Sequence, residues 1–514
     1  MINDVVIAGA GPNGLMLACE LSLAGVHPIV LERLPEPSRE PRANGLVGQV
    51  VRMLDRRGLY ERLSGSKEPP RPVPGYVFGA LGLDLAMLED NPVSILPVPQ
   101  ARITQVLAER AVELGVEIRH GHELVDLEQD DDAVTATVAG PDGSDRIRTR
   151  YLVGADGGHS VARKRSGIDF PGVTRDDTVS RTVNAYPPAA WVDSAAGTLD
   201  VPGYGVIPLV MHHRTERGMF VFAPLPGREP LVTTMEWGEP EDGDRPMSLE
   251  EMRESIRRVL GVDMPLSPPN GDGPHLLRRL TGGNTRLAER FRDRRVFLVG
   301  DAAHVHSAIG GPGLNLGLQD TVNLGWKLAA EILGHAPAGL LDTYETERRP
   351  VAERVVMHTQ AQSALIAPGG EVTALRELFT ELLRDRSTVQ RIADLMAGAD
   401  IRYDMGVRDA HPLAGRWAPD LVVRTETGTV RLAELTRAAR PLLLDLTEDA
   451  SLVRALSPWG DRVDLVTARP HDPAPPATAL LLRPDGYVAW ASSRPDDTDV
   501  EGLQAAMRRW FARP

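Results

Sequence analysis

The 514-residue chain has a single cysteine, Cys19, and aromatic residues make up only 4% of it. One thiol excludes an internal disulfide, a Cys-x-x-Cys redox pair and a cysteine-based zinc site, and it suits a reducing cytoplasm. Lysine is almost missing too: Lys67, Lys164 and Lys327 are the only ones among 57 basic residues. GC-rich codon usage explains that bias without giving every arginine a role. Against 71 acidic residues the net charge is −14, and no basic stripe interrupts it, so a nucleic-acid backbone would be repelled. Long hydrophobic runs are also lacking. The uncharged stretch 5–19 has no basic n-region and contains Gly, Pro and Asn, so it does not read as a signal peptide. The stretch 302–319 carries His304, His306, Pro312 and several glycines, which excludes a lipid-facing helix. The sequence predicts a cytoplasmic protein with no membrane partner.

Hydrophobic residues at 42% and charged residues at 25% are ordinary for a globular chain, and at about 150 residues per domain the length suggests roughly three domains. The 49 glycines and 42 prolines predict many tight turns and close approaches of backbone to ligand.

Val5–Ala8 is a short apolar β-branched run, followed by Gly9-Ala-Gly-Pro-Asn-Gly14, an apolar helical stretch to Ala24, and a second strand, Pro28–Leu31, closed by Glu32. Helices are expected over 47–57 and 101–114, with a Pro-rich excursion, 69–99, between them. Residues 117–153 read as strands joined by turns. From about 170 to 268 the pattern is strand-rich, as in an inserted antiparallel sheet. Arg295–Val299 returns to a buried parallel strand before a helix over 314–333, and helices continue to about 400. The last hundred residues follow a βαβ-ββα order, a thioredoxin-like pattern without thioredoxin's cysteines. The missing thiols favour a structural or homo-oligomer-forming role over a redox one.

Three motifs carry the chemistry. Gly9-x-Gly11-x-x-Gly14 lies between a strand and a helix, with Glu32 at the end of the next strand, which is the dinucleotide fingerprint. The glycines Gly9 and Gly11 permit a tight turn that brings the amides around Ala10, Pro12 and Asn13 to a pyrophosphate at the helix N-terminus, and Glu32 accepts ribose hydroxyls. Tyr151-Leu-Val-Gly-Ala-Asp-Gly-Gly-His-Ser-Val-Ala-Arg163 resembles the DG motif of flavoprotein monooxygenases. Gly300-Asp-Ala-Ala-His304, continuing through Gly310-Gly-Pro-Gly-Leu-Asn315 to Gln319-Asp320, Asn323-Leu324 and Trp326-Lys327, resembles the GD motif of the same family.

The chain therefore resembles single-component FAD-dependent aromatic hydroxylases of the para-hydroxybenzoate hydroxylase type, and most of all the polyketide hydroxylases with a thioredoxin-like C-terminal domain, whose usual signature matches Leu482-Arg-Pro-Asp-Gly-Tyr-Val-Ala-Trp490. The resemblance implies an α/β fold: a Rossmann-like FAD-binding domain over 1–70, 98–172 and 272–400, a substrate-binding sheet domain over 71–97 and 173–271, and a thioredoxin-like domain over 412–514. It implies FAD contacts at Glu32, Arg33, Arg42, Gln100, Asp156, Asp301, Gly313, Leu314 and Asn315, with the backbone around Val125 near the adenine. It further implies that NADPH or NADH reduces FAD, that dioxygen adds to give a flavin 4a-hydroperoxide, and that one oxygen passes to an aromatic, polyketide-like or antibiotic-like substrate.

The substrate pocket is expected between the inserted sheet and the flavin, with Phe220, Phe222, Pro224, Met235 and Trp237 as wall residues; alternation lets only one face of each strand point inward. Ala308 stands where relatives usually carry proline, on the substrate side, and Asn44 stands where some antibiotic-modifying relatives have arginine. His212, His213 and Tyr204 are candidate acid–base groups, with no catalytic residue assigned. His304 and His306 lack further ligands for a metal, so His304 is read as packing or hydrogen-bonding within its loop. Baeyer–Villiger oxygenation and antibiotic-inactivating hydroxylation remain alternatives on this scaffold, as does a flavin-fold binding protein without catalysis. Halogenation is disfavoured, since no Trp-x-Trp-x-Ile-Pro segment occurs.

Overall fold

The computed structural model describes residues 2–38, 44–224, 227–238, 245–271, 275–307, 309–407, 410–447, 451–493 and 497–511. The chain opens with β1 (Asn3–Ala8), α1 (Pro12–Leu23) and β2 (Ile29–Glu32), followed by α2 (Gln100–Glu113), β3 (Glu117–His120), β4 (Glu123–Gln129), β5 (Val134–Gly140) and β6 (Gly143–Gly154). The short α3 (Val161–Arg165) leads into β7 (Gly172–Asn184), β8 (His213–Arg214), β9 (Met219–Ala223), β10 (Leu231–Trp237), α4 (Leu249–Leu260) and β11 (Leu277–Leu287). Next come β12 (Val296–Leu298), β13 (His304–Val305), α5 (Pro312–Ile332), α6 (Asp342–Ile366), α7 (Gly370–Leu382) and α8 (Arg386–Ala397). The final block holds β14 (Leu442–Asp445), β15 (Asp464–Thr467), β16 (Ala479–Leu482), β17 (Val488–Ser492) and α9 (Asp497–Phe511). Among the described residues no helix is long and apolar enough to cross a membrane.

The first sheet has a parallel core of order β12-β6-β1-β2-β3, with the two-residue strand Arg292–Asp293 antiparallel at the β12 edge and the β4–β5 hairpin extending from β6. Continuous apolar runs suit strands covered on both faces, and Val5, Val6, Ile7, Val296, Phe297 and Leu298 are all fully buried. α1 lies against α5 at glycine contacts: a Cβ on Gly325 would come within 2.6 Å of the Glu20 side chain. Close helix approach here requires the absent side chain.

The second sheet is antiparallel, in the order β8-β9-β10-β7-β11-β13. α4 covers one face through Met252, Ile256, Val259 and Leu260, packed on Val183, Phe220, Phe222 and Val232. Two expected boundaries change. The inserted sheet does not end at residue 271, because β11 and β13 both belong to it; β11 is polar and no residue along it is buried, so it offers no apolar alternation to read. Residues 71–97 do not join that sheet's core either. Phe78, Leu83 and Leu85, from the hairpin of Gly75–Phe78 and Leu81–Asp84 and the turn after it, pack instead on Leu365, Val389 and Ile392 of α6 and α8.

The last block forms a sheet of order β15-β14-β16-β17, with β14 and β15 parallel and the rest antiparallel, as the βαβ-ββα pattern predicts. It docks on the first domain through buried charge. Arg483 donates to both Glu347 oxygens, at 2.6 and 2.7 Å, and pairs with Asp485; the Lys327 ammonium reaches Glu347 at 2.7 Å and Asn323 at 2.8 Å, and Asn323 donates to Asp485 at 3.1 Å. Burial would raise the Glu347 carboxyl, yet Arg483 and Lys327 outweigh it and hold it well below the ordinary range; burial lowers Lys327 to about 8. Arg57 adds a buried pair with Glu20 at 2.6 Å and a bond to the Pro484 carbonyl at 2.7 Å.

Candidate active site

The three glycine-rich loops meet at the C-terminal ends of β1, β6 and β12, the edge where open α/β sheets bind ligands. Gly9 has φ +109°, and a Cβ there would lie 2.4 Å from the Ala155 carbonyl oxygen; a Cβ on Gly14 would lie 1.9 Å from the Gly9 oxygen. Both are glycine because backbone fills the space. Gly11 differs: it has φ −70°, ψ 175°, caps α1, and a Cβ on it would meet nothing within 4 Å. The space over Gly11 lies at the unpaired amides of the helix start, with Pro12 as first residue, where an anion is favoured. Asn13 is wedged against the third loop: a Cβ on Gly300 or Gly317 would lie 1.9 or 2.4 Å from its Nδ2, while its Oδ1 is buried without a partner.

Glu32 is tied to the same loop. Its Oε2 accepts from the Ala10 amide at 2.9 Å and its Oε1 from the Leu34 amide at 2.9 Å, leaving further lone pairs for hydroxyl groups. Arg33 follows at the exposed surface, Gln100 opens α2, and Val125, 37% exposed, sits at an irregularity of β4. Arg42 and Ala308 lie outside the described residues.

Asp156 uses one oxygen to cap α3, accepting from Val161 at 2.7 Å and Ala162 at 3.1 Å; its other oxygen, Oδ1, is buried without a partner. Ser160 caps the same helix by accepting from the Arg163 amide at 2.9 Å. The Arg163 guanidinium, stacked 3.8 Å from the Phe170 ring centroid, donates to the carbonyls of Ala302 and Gly158, each at 2.9 Å. It therefore fastens the second loop to the third, a role the sequence did not reveal.

In the third loop Gly300 (φ +60°) and Gly311 (φ +68°) turn the chain, Asp301 is exposed, and Gly311 caps α5 ahead of Pro312. Gly313 and Leu314 lie in the first turn, half-buried. The Asn315 side chain is already engaged: Oδ1 accepts from the Val47 amide at 3.1 Å and Nδ2 donates to the Gly311 carbonyl at 2.8 Å. Those two bonds fix the side chain against the protein and set the Asn315 main chain at the helix start. A cleft beside this helix start is lined by Val47, Pro312, Leu316, Val355, His358 and Met396.

His304 is fully buried, and its partner is not in its own loop. Nε2 meets Asp320 Oδ2 at 2.6 Å, and Asp320 Oδ1 accepts from Arg348 Nε at 2.8 Å. Burial would raise Asp320, but Arg348 and His304 together hold it below the ordinary carboxylate value. The available signal for this cluster was an acid, Asp320, at helical spacing with Leu316 and Leu324, on the apolar face of α5. His306 Nδ1 faces the Ser307 carbonyl at 3.0 Å, which requires the proton on Nδ1 and leaves Nε2 as an acceptor beside Gly313. Burial, with His304 and His358 nearby, pushes His306 down to about 4, so the ring is neutral at pH 7.

The substrate-wall expectation divides by strand face. Phe220 and Phe222, at 0% and 3% exposure, pack under α4 and are corrected to sheet core. Phe220 pairs with Thr234 and Phe222 with Val232, so the odd-numbered Met235 and Trp237 point to the opposite, half-open face; Pro224 is half-buried at the strand end. His213 pairs with Phe220 and so shares the α4 face, where its Nε2 meets the Tyr204 hydroxyl at 2.6 Å. That pair is turned away from Met235 and Trp237. Arg214, on their face, donates to the Ala367 carbonyl at 2.9 Å and holds the α6–α7 junction.

Comparison with known proteins agrees with this geometry. The FAD binding domain model matches residues 3–359, and the model for the C-terminal part of aromatic-ring hydroxylases matches 411–514. The chain is 44% identical over 521 residues to the 12-dehydrotetracycline 5-monooxygenase/anhydrotetracycline 6-monooxygenase of Streptomyces rimosus subsp. rimosus, covering 99% of each chain. It is 38% identical over 510 residues to a rifampicin monooxygenase of Streptomyces venezuelae, covering 99% of this chain and 98% of the other. The solved structure of OxyS anhydrotetracycline hydroxylase from Streptomyces rimosus superposes with TM-score 0.87 at 42% identity over all of both chains. With its three cofactor loops assembled at one sheet edge and its likeness running end to end, this chain belongs to the FAD-dependent aromatic-ring hydroxylases, a family of flavin monooxygenases.

Proposed function

We propose that this enzyme hydroxylates a fused-ring aromatic polyketide, consuming NADPH or NADH and dioxygen in the cytoplasm. The overall change is balanced: one oxygen atom enters a ring C–H bond, the other leaves as water, the nicotinamide supplies the hydride, and one proton comes from solvent. The tetracycline-type substrates in the names of its relatives support this substrate class. The observation that carries the reading is the cradle itself: open space over Gly11, with buried and unpartnered Asn13 Oδ1 and Asp156 Oδ1 close by in the assembled loops. Those features fit FAD.

When bound, FAD supplies the activation of dioxygen and the oxygen transfer; the chain binds, orients and shields. The first turn of α1 would hold the pyrophosphate, Glu32, steadied by the Ala10 amide, the adenosine ribose, and Asp301 the ribityl chain. The amides of Gly313, Leu314 and Asn315 present the positive end of α5 to negative charge on the ring system. Met235 and Trp237 offer an apolar wall to an aromatic substrate. His306, neutral and too weak a base to keep a proton at pH 7, accepts a hydrogen bond from a substrate hydroxyl and so orients the ring.

The test is direct. Purified protein should be yellow with a flavin spectrum, oxidise NADPH or NADH faster with an anhydrotetracycline-type substrate, and release a product one oxygen heavier with a new hydroxyl. A lactone of the same mass would point to Baeyer–Villiger insertion, and a product of unchanged mass would overturn oxygenation altogether.

A further inference from the structure

The C-terminal block holds no cysteine, and a chain of buried groups runs from it to the cofactor loops. Tyr487, inside the Leu482–Trp490 signature, packs on Tyr403 with ring centroids 4.2 Å apart and planes tilted by 35°. Tyr403 belongs to the same body, since its amide donates to the Gly415 carbonyl at 2.8 Å and the Gly415 amide to Val488 at 2.8 Å. The Tyr403 hydroxyl accepts from Arg348 Nη1 at 2.9 Å. Arg348 donates through Nη2 to the Leu316 carbonyl in the first turns of α5, at 3.2 Å, and through Nε to Asp320 at 2.8 Å. Asp320 accepts from the Gly300 amide at 3.4 Å and pairs with His304 at 2.6 Å, so it grips both ends of the 300–304 loop. Arg348, Asp320 and His304 are each at most 1% exposed, and Tyr403 and Tyr487 at most 6%.

We propose that the C-terminal block is a positioning element of the cofactor site: through Tyr487, Tyr403 and Arg348 it fixes Asp320, and through Asp320 the loop 300–304 and the start of α5. Tyr403 and Arg348 are positioning residues, far enough back to touch no substrate. The physical reason is geometric. A guanidinium has five donors in a rigid plane, and three of them are here directed to α5, Asp320 and the C-terminal block, so the orientation of one sets the others. Without the tyrosine acceptor Arg348 would keep only its bonds to Leu316 and Asp320, both on α5, and nothing would tie its orientation, or that of Asp320, to the C-terminal block.

This inference rests on FAD being the ligand of the three loops, and the experiment separates the two. Wild-type protein is stripped of FAD and titrated with it, alongside Tyr403→Phe, which keeps the ring packing and removes only the acceptor, Arg348→Lys, and Leu452→Ala, a fully buried position of the C-terminal block outside the chain. Tyr403→Phe is expected to weaken FAD binding about tenfold and to lower the midpoint potential of the bound flavin, because the start of α5 no longer holds its aim. Arg348→Lys does the same or more. Leu452→Ala lowers the melting temperature and leaves FAD affinity and potential unchanged. FAD affinity and potential within twofold of wild type in Tyr403→Phe overturn the proposal, whatever Arg348→Lys does, and so does an equal loss of affinity in Leu452→Ala. Failure of the wild type itself to bind FAD overturns the cofactor reading instead.

Discussion

Gly11→Ala separates binding from folding more cleanly than any other change in the site. The residue has φ −70° and ψ 175°, which any L-residue adopts, and its added methyl would meet no protein atom within 4 Å. Folding should therefore not suffer; removal of a glycine from the unfolded ensemble stabilises by about 0.4–1 kcal/mol where the native backbone accepts alanine. The same methyl occupies the opening at the unpaired amides of α1. Losing one amide-to-phosphate hydrogen bond costs about 1.5–3 kcal/mol, which is roughly a ten- to hundredfold rise in the FAD dissociation constant. Gly14→Ala is the contrast, because its Cβ would lie 1.9 Å from the Gly9 oxygen and the chain must move. Fluorescence titration of apoprotein with FAD, with calorimetric melting of each apoprotein, measures both quantities. Gly11→Ala that binds FAD as tightly as wild type, or that melts below wild type without ligand, would overturn this assignment of Gly11.

Two further outcomes follow from the buried charges. Arg483→Met leaves Glu347 and Asp485 with one fewer partner in a dry interface, and breaking such a pair costs about 3–5 kcal/mol; urea unfolding should show it, and an unchanged midpoint would mean the network contributes nothing. His306 and His358 both titrate near 4 in the folded chain because burial disfavours the charged rings, against 6.5 ordinarily. Between those values the unfolded chain binds more protons, so stability falls as pH drops from 6.5 to 4, by at most about 3 kcal/mol for each ring. His306→Gln should flatten part of that dependence when denaturant midpoints are measured at pH 7, 5.5 and 4.5; an identical slope would refute it.

What could be read in the sequence was what is dictated locally. Gly9, Gly14 and Gly300 are glycines because backbone or a neighbouring side chain fills the space of a Cβ, and that demand shows as a spaced motif. The buried parallel strands showed because both faces are covered. Orientation did not show: alternation puts Phe220 and Met235 on opposite faces, but only the packing of α4 decides which face is core. β11 went unread because a polar strand with no buried residue has no hydrophobic period. The functions of Arg163, Asp320 and Arg348 depend on partners brought in by the fold, Ala302, His304 and Tyr403, and no local spacing encodes such pairings.

The docking of Arg483 on Glu347 also bears on when the enzyme can become active during its synthesis. Every cofactor loop has left the ribosome by the time α6 is made, yet Glu347 meets Arg483 136 positions later and Asn323 meets Asp485 162 positions later. Until then the half-made protein keeps those side chains in water and the rear of α5 unbraced. A chain ending before Arg483 would carry every nucleotide-binding motif and lack the groups that hold α5 from behind.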